Sequence, residues 1–131
     1  MEEKYFKIGV IYAFTSVIIG AFGTHLLKDL VSLTEISSFK TGLKYQIFHA
    51  LGIVTLSINS YKFTDRLKIS LALMCIGVLL FSFSIYFLAI DNLLDISMRF
   101  LGPITPIGGI ILIISWIILL FSVKKNEITN I

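Results

Sequence analysis

Charge is missing from most of this sequence. Four stretches contain no Asp, Glu, Lys or Arg: Ile8 to Leu27, Tyr45 to Tyr61, Ile69 to Ile90 and Phe100 to Val123, of 20, 17, 22 and 24 residues. Together they hold 83 of the 131 residues, so the charges are confined to the two ends and three short connections and no room is left for a soluble domain. Charged residues are 15% of the chain, against about 25% for a soluble one. Cysteine is nearly absent too: Cys75 stands alone in the third stretch, which excludes an internal disulfide and reads as packing. No basic run carries interleaved aromatics, which excludes nucleic acid as a partner despite a net charge of +3. Two histidines without a neighbouring cysteine fall short of the three or four protein ligands that zinc takes, so no metal is expected. No cofactor motif is present.

What remains is hydrocarbon-compatible. A bilayer core needs roughly 20 apolar residues of helix to cross it, and mean hydropathy is +0.94. The first stretch exceeds the roughly 7–15 apolar residues of a signal peptide, so it reads as a span. In lipid every backbone group must be bonded internally, and uninterrupted apolar runs then mean helices. The chain is read as a single transmembrane domain over residues 1–131, an all-α integral membrane protein built as a four-helix transmembrane bundle. Its spans are about 8–27, 45–61, 69–90 and 100–123. An even number of spans puts both termini on one face. Lys4, Lys7, Lys62, Arg66, Lys68, Lys124 and Lys125 flank that face, against Lys28, Lys40, Lys44 and Arg99 on the other. The excess of Lys and Arg belongs in the cytoplasm, which predicts cytoplasmic termini.

Between spans one and two, Lys28 to Lys44 is too polar to cross and too patterned for a loop. Ser32 and Glu35 have capping-box spacing, Ile36, Phe39 and Leu43 share a helical face, and Gly42 can terminate a helix. The pattern predicts a short amphipathic helix on the membrane surface. Within span one, Ser16, Gly20 and Thr24 repeat every four residues, the small-residue spacing that lets helices approach closely.

Polar side chains cluster towards one end of the spans. His25, His49, Tyr86 and Thr105 lie three to six residues from a flanking charge, roughly 5–9 Å along a helix. Gln46 shares a face with His49, and Ser82 with Tyr86. His25, Gln46, His49, Ser82, Tyr86 and Thr105 therefore form the candidate cluster, since ionisable groups within spans mark function by default. The competing interpretation is helix-to-helix hydrogen bonding. Span four opens with Gly102, Pro103, Pro106, Gly108 and Gly109. Proline in the first helical turn loses no bond, so Pro106 is the expected start of the helix, after an irregular entry over Leu101 to Thr105.

These same stretches carry a family resemblance. Gly20-Ala-Phe-Gly-Thr-His25, Tyr45-Gln-Ile-Phe-His49-Ala50, Phe81-Ser-Phe-Ser-Ile-Tyr86 and Leu101-Gly-Pro-Ile-Thr-Pro-Ile-Gly-Gly109 resemble, in order, the signature segments of the YgdD/YwdK-type small inner-membrane proteins. Thr24 stands where that family often has alanine, and Phe83 where it often has glycine. The resemblance implies a four-span protein of the bacterial inner membrane, and it implies no reaction, the family's function being unknown.

The residues support a non-enzymatic membrane protein, an accessory or binding component of a membrane assembly or a lipid-binding protein. Membrane lipids are the expected partners, with a homo-oligomer or a larger membrane complex. One alternative is a small-solute or proton-coupled transporter acting as an oligomer, with His25 and His49 carrying protons. Another is a lipid-headgroup enzyme using His49 as base.

Overall fold

The computed structural model describes residues 1–125 and is built from helices. They are α1 (Glu3–Leu27), α2 (Leu33–Ile58), α3 (Arg66–Ile90) and α4 (Ile104–Leu120), the last entered through a 3-10 turn at Arg99–Leu101. Three segments, Glu3–Leu27, Arg66–Ile90 and Arg99–Leu120, are long and apolar enough to cross a membrane. The fourth, α2, is the polar one, carrying Lys40, Lys44, Gln46 and His49. α1 packs along α2 and α3 along α4, and the two hairpins meet where α2 lies against α3.

The separate surface helix expected over Lys28 to Lys44 does not form. Its start is where the spacing placed it: the Ser32 hydroxyl accepts the Glu35 N–H at 3.2 Å and the Glu35 carboxylate accepts the Ser32 N–H at 2.8 Å, a complete capping box. The helix then continues without a break to Ile58. Gly42 does not end it, because this glycine serves packing rather than turning. A Cβ there would stand 2.8 Å from Cε1 of Tyr86. The second helix therefore begins well before Tyr45, and Lys40 and Lys44 belong to a helix rather than to a loop.

The entry to α4 also differs. The helix starts at Ile104 with Pro103 as its N-cap, so Pro106 sits two residues inside the first turn, where its missing N–H costs no helical bond. The irregular chain lies earlier, at Arg99 to Gly102.

Helix α3 contains a π-helical turn, Leu79–Phe83. Val78 and Tyr86 are eight residues apart, which in an ideal α-helix leaves them about 80° out of alignment. The wider turn absorbs one residue and keeps Val78, Ser82 and Tyr86, all buried, on one side. Against the same turn α4 presents Gly108, where a Cβ would lie 2.5 Å from the Phe81 backbone N. The two helices touch backbone to backbone there. A second π turn, Ile19–Gly23, lies in α1. The close approach of α1 to α2 falls at Gly9, 2.8 Å from Val54 by the same measure, and at Gly23, 2.7 Å from Phe39. Gly20 has only ordinary contact with Leu43, at 3.6 Å. Ser16 is buried and its hydroxyl turns back to the Ala13 carbonyl, while Thr24 is half-buried.

The end that carries the N-terminus is tied by the chain itself. Thr64 N–H donates to Ser122 O at 2.7 Å, Lys124 N–H to Lys62 O at 3.1 Å and Glu2 N–H to Ser57 O at 3.0 Å. Above this clamp Ile53, Leu67, Leu71, Met74 and Cys75 form one apolar cluster, and Leu27, Phe39, Tyr86 and Ala89 form another at the opposite end.

Two outcomes follow. Gly108→Ala forces the α3 and α4 backbones apart and lowers detergent stability by about 1–3 kcal/mol. Gly109→Ala, whose Cβ would sit 3.6 Å from Phe81, leaves it unchanged or slightly raised. Equal thermal shifts for the two variants would refute the backbone contact. At the α2 cap, outside the charge-free part of that helix, the backbone bond from Ser32, then the Ser32 and Asn92 side chains, hold the Glu35 carboxyl below the usual carboxylate range. A carboxyl lowered by folding stabilises above its unfolded value and loses that contribution as pH falls through the folded one. The melting-temperature gap between wild type and Glu35→Gln is therefore expected at neutral pH and closes in acid.

Candidate functional site

Gln46, fully buried, is the centre of a network across three helices. Its amide Nε2 donates to the Tyr12 carbonyl and to the Thr15 hydroxyl, each at 2.9 Å, and its Oε1 accepts the Tyr86 hydroxyl at 2.6 Å. Tyr12 in turn donates to the Cys75 carbonyl at 2.8 Å, and Thr15 to the Ile11 carbonyl at 2.7 Å. One turn away, Ser82 donates to the Gly42 carbonyl at 2.8 Å. The α3–α4 contact is bridged by Ser84 and Thr105, whose hydroxyls are 2.6 Å apart, and by Ser70 donating to the Ser115 carbonyl at 2.8 Å. Among the described residues no buried side-chain nitrogen or oxygen lacks a partner.

His49 is buried and its tautomer is dictated by its partners. Nδ1 faces the Tyr45 carbonyl at 2.7 Å, which can only accept, and Nε2 faces the Trp116 indole N–H at 3.0 Å, which can only donate. The ring is therefore neutral, with its proton on Nδ1. Both nitrogens are engaged, which leaves neither for a metal or for a serine. The hydroxyls of Ser82 and Ser84 go to Gly42 and to Phe81 and Thr105 instead.

His25 does not join this cluster. It is exposed, two residues past the point where Gly23 meets Phe39, whereas His49 lies ten residues further along α2, about 15 Å down the axis. The two histidines share no depth, because α2 begins twelve residues before the charge boundary at Tyr45 and its register against α1 shifts accordingly. Gln46 and Tyr86 share a hydrogen bond, while Ser82, His49 and Thr105 bond elsewhere, so the five lie within the bundle without forming one convergent site. Tyr12, Thr15 and Trp116 are the residues that the sequence reading missed, although Trp116 is the single tryptophan of the sequence. For Tyr12 and Thr15 the available signal is that they lie three apart on one face of α1, opposite Gln46 in depth.

Beside the histidine a laterally open cleft of about 490 Å³ lies between α2, α3 and α4. Tyr45, Phe48, Phe81 and Trp116 wall it, Gly109 leaves it room, and Lys44 stands at its edge. Gly102, Thr105 and Pro106 border a smaller cleft of about 420 Å³ with Glu35. Gly108 is spent on the contact with α3.

Comparison with known proteins places the chain. Residues 19–109 match the profile described as "Protein of unknown function (DUF423)". The chain belongs to the DUF423 family. It is 32% identical to a "UPF0382 membrane protein" of Haemophilus influenzae over 97% of this chain and 98% of the relative. It is 34% identical to "UPF0382 membrane protein YwdK" of Bacillus subtilis, over 90% and 94%. It is also 34% identical to "UPF0382 inner membrane protein YgdD" of Escherichia coli, over 92% and 89%. No solved structure matches. The DUF423 match runs from the π turn of α1 to Gly109 in the cleft, and so takes in Gln46, His49, Ser82, Tyr86 and Thr105.

The network predicts non-additivity. Tyr86→Phe and Gln46→Leu each lower the melting temperature in detergent, and the double variant costs less than their sum, with a coupling of about 0.6–1.7 kcal/mol. Strict additivity would mean that the 2.6 Å bond between the two side chains contributes nothing.

Proposed function

We propose that this DUF423 protein is a four-span protein of the bacterial inner membrane that acts without catalysing covalent chemistry, as a binding or accessory component whose offering is its lipid-facing helix surface. The observation that carries this reading is the fate of the polar groups. Gln46, His49, Ser70, Ser82, Ser84 and Ser115 are all committed to helix-to-helix or intrahelical bonds. Each of these serine hydroxyls donates to a backbone carbonyl rather than to a base, and both ring nitrogens of His49 are bonded, which supports a structural role over that of nucleophile, base or proton carrier. The outside of the bundle, by contrast, presents Phe14, Phe22, Phe48, Ile110, Ile113 and Leu120 to its surroundings, the surface expected of helices that meet acyl chains or a partner's helices.

In this reading α2 spans with the other three, and its polar side chains are tolerated because neighbouring helices enclose Gln46 and His49. The helical position of Lys40 and Lys44 also sharpens the topology. With these two assigned to a span, Lys28 and Arg99 are the basic residues left at that end, against seven within a turn or two of the helix ends at the other. That supports cytoplasmic termini.

Native purification in a polymer that retains bilayer lipid, followed by mass spectrometry, is expected to find a lipid or a partner protein at fixed stoichiometry. A bare chain would sink the reading, above all if His49→Ala abolished a pH-dependent flux in liposomes. For the topology, Thr64→Cys is expected to resist a membrane-impermeant thiol reagent in intact cells while Ser97→Cys is labelled; the reverse pattern would invert the protein.

A further inference from the structure

We propose that the depression at the end carrying the N-terminus, between the α2–α3 connection and the end of α4, is a site for the headgroup of an anionic phospholipid; this rests on the reading of the chain as a membrane-embedded binding protein and names its ligand. The charges of the chain are unevenly placed. Among the described residues this end carries seven basic side chains against Glu2, Glu3 and Asp65. The rest of the bundle has four, Lys28, Lys40, Lys44 and Arg99, balanced by Asp29, Glu35, Asp91 and Asp95. The whole excess of positive charge therefore lies at one membrane surface. Height agrees with charge there, because Arg66 opens α3 and Lys124 follows the last turn of α4. Both stand at helix ends, level with the phosphates of a bilayer, where a basic residue attracts anionic lipid.

The depression is also preformed. Tyr61, Asp65, Arg66, Phe121, Lys124 and Lys125 border an open volume of about 820 Å³. Its floor is tied where Phe63 and Val123 pair as an antiparallel bridge. Lys124 is fixed twice, its N–H donating to the Lys62 carbonyl at 3.1 Å and its ammonium to the Tyr61 carbonyl at 2.8 Å. The second bond holds the Lys124 stem across the connection and leaves two of the three ammonium hydrogens for a ligand. Arg66 is exposed, and the one ion pair among the described residues is Lys68 with Glu2, so no carboxylate takes up the Arg66 guanidinium. That group presents a fork of donors that fits phosphate oxygens. Asp65 is the single carboxylate of the lining, against three cations. Tyr61 and Phe121, both exposed, set apolar surface beside these cations. A phospholipid answers the cations and the apolar surface together, whereas a free anion answers the cations alone.

The test titrates delipidated protein in a nonionic detergent with phosphatidylglycerol or with phosphatidylcholine of the same acyl chains, and counts bound lipid by native mass spectrometry. One phosphatidylglycerol is expected to bind first, with an apparent affinity roughly 25-fold above that of phosphatidylcholine, about fivefold from each of two cations. Arg66→Gln and Lys124→Gln each lower the preference about fivefold, while Arg66→Lys keeps most of it. Lys28→Gln and Arg99→Gln, which remove the same charge at the opposite end, leave it unchanged. All five positions of change are exposed, so the melting temperatures without lipid stay close to wild type and separate lost binding from lost folding. Equal affinity for the two lipids would overturn the proposal. So would an equal loss in the variants at the opposite end, which would make net charge rather than this depression the cause. Displacement of the lipid by inorganic phosphate at the same concentration would also overturn it, since the site would then hold an anion and not a lipid. Each of these results leaves the broader binding reading standing, which fails independently if native purification retains no lipid and no partner.

Discussion

Gln46 is the side chain on which the arrangement of the first three helices depends. A primary amide placed where water is absent must have both hydrogens and its oxygen bonded, or the fold loses the cost of each bare group. Here the hydrogens go to α1 and the oxygen to α3, so one residue of α2 fixes the rotation and the sliding of two neighbours at once. Apolar packing alone would not do this, since lipid tails solvate leucine and isoleucine as well as another helix does. Directional bonds and close backbone contact are what distinguish one packing from its neighbours.

The second device is the missing Cβ. Gly9, Gly23, Gly42 and Gly108 each occupy a position where a methyl group would collide with a partner helix, and the π turn of α3 puts its backbone against Gly108 while keeping Ser82 and Tyr86 turned towards α2. The polar network and the small-residue contacts thus operate at the same levels of the bundle. What this leaves outside is nearly featureless apolar surface, apart from the aromatic cleft beside Lys44.

The class of the protein is plain from the sequence because the signal is one of solvent. Charge-free runs of 20, 22 and 24 residues match the length of helix that a bilayer's hydrocarbon core requires, and the Ser32–Glu35 cap is readable because it is set by local spacing. Helix α2 is less legible, and for a physical reason. Lys40, Lys44 and Gln46 look like a boundary when each residue is judged by its own hydropathy, yet a helix continues wherever its backbone bonds continue. Gly42 has the character of a stop and is in fact a contact. The shared depth expected of His25 and His49 fails with that boundary.

By itself, then, the sequence determined that this chain is helical and made for a membrane, where most helices begin and end, and which few polar residues had to be accommodated inside. Those properties follow from local spacing and from the preference of each segment for hydrocarbon or water. Only the tertiary structure decided what the polar residues do: that Gln46 faces Tyr12, Thr15 and Tyr86, that His49 is locked neutral between Tyr45 and Trp116, and that Lys44 borders a cleft. Such pairings join residues up to 67 positions apart. They depend on register and rotation between helices, which no single helix contains.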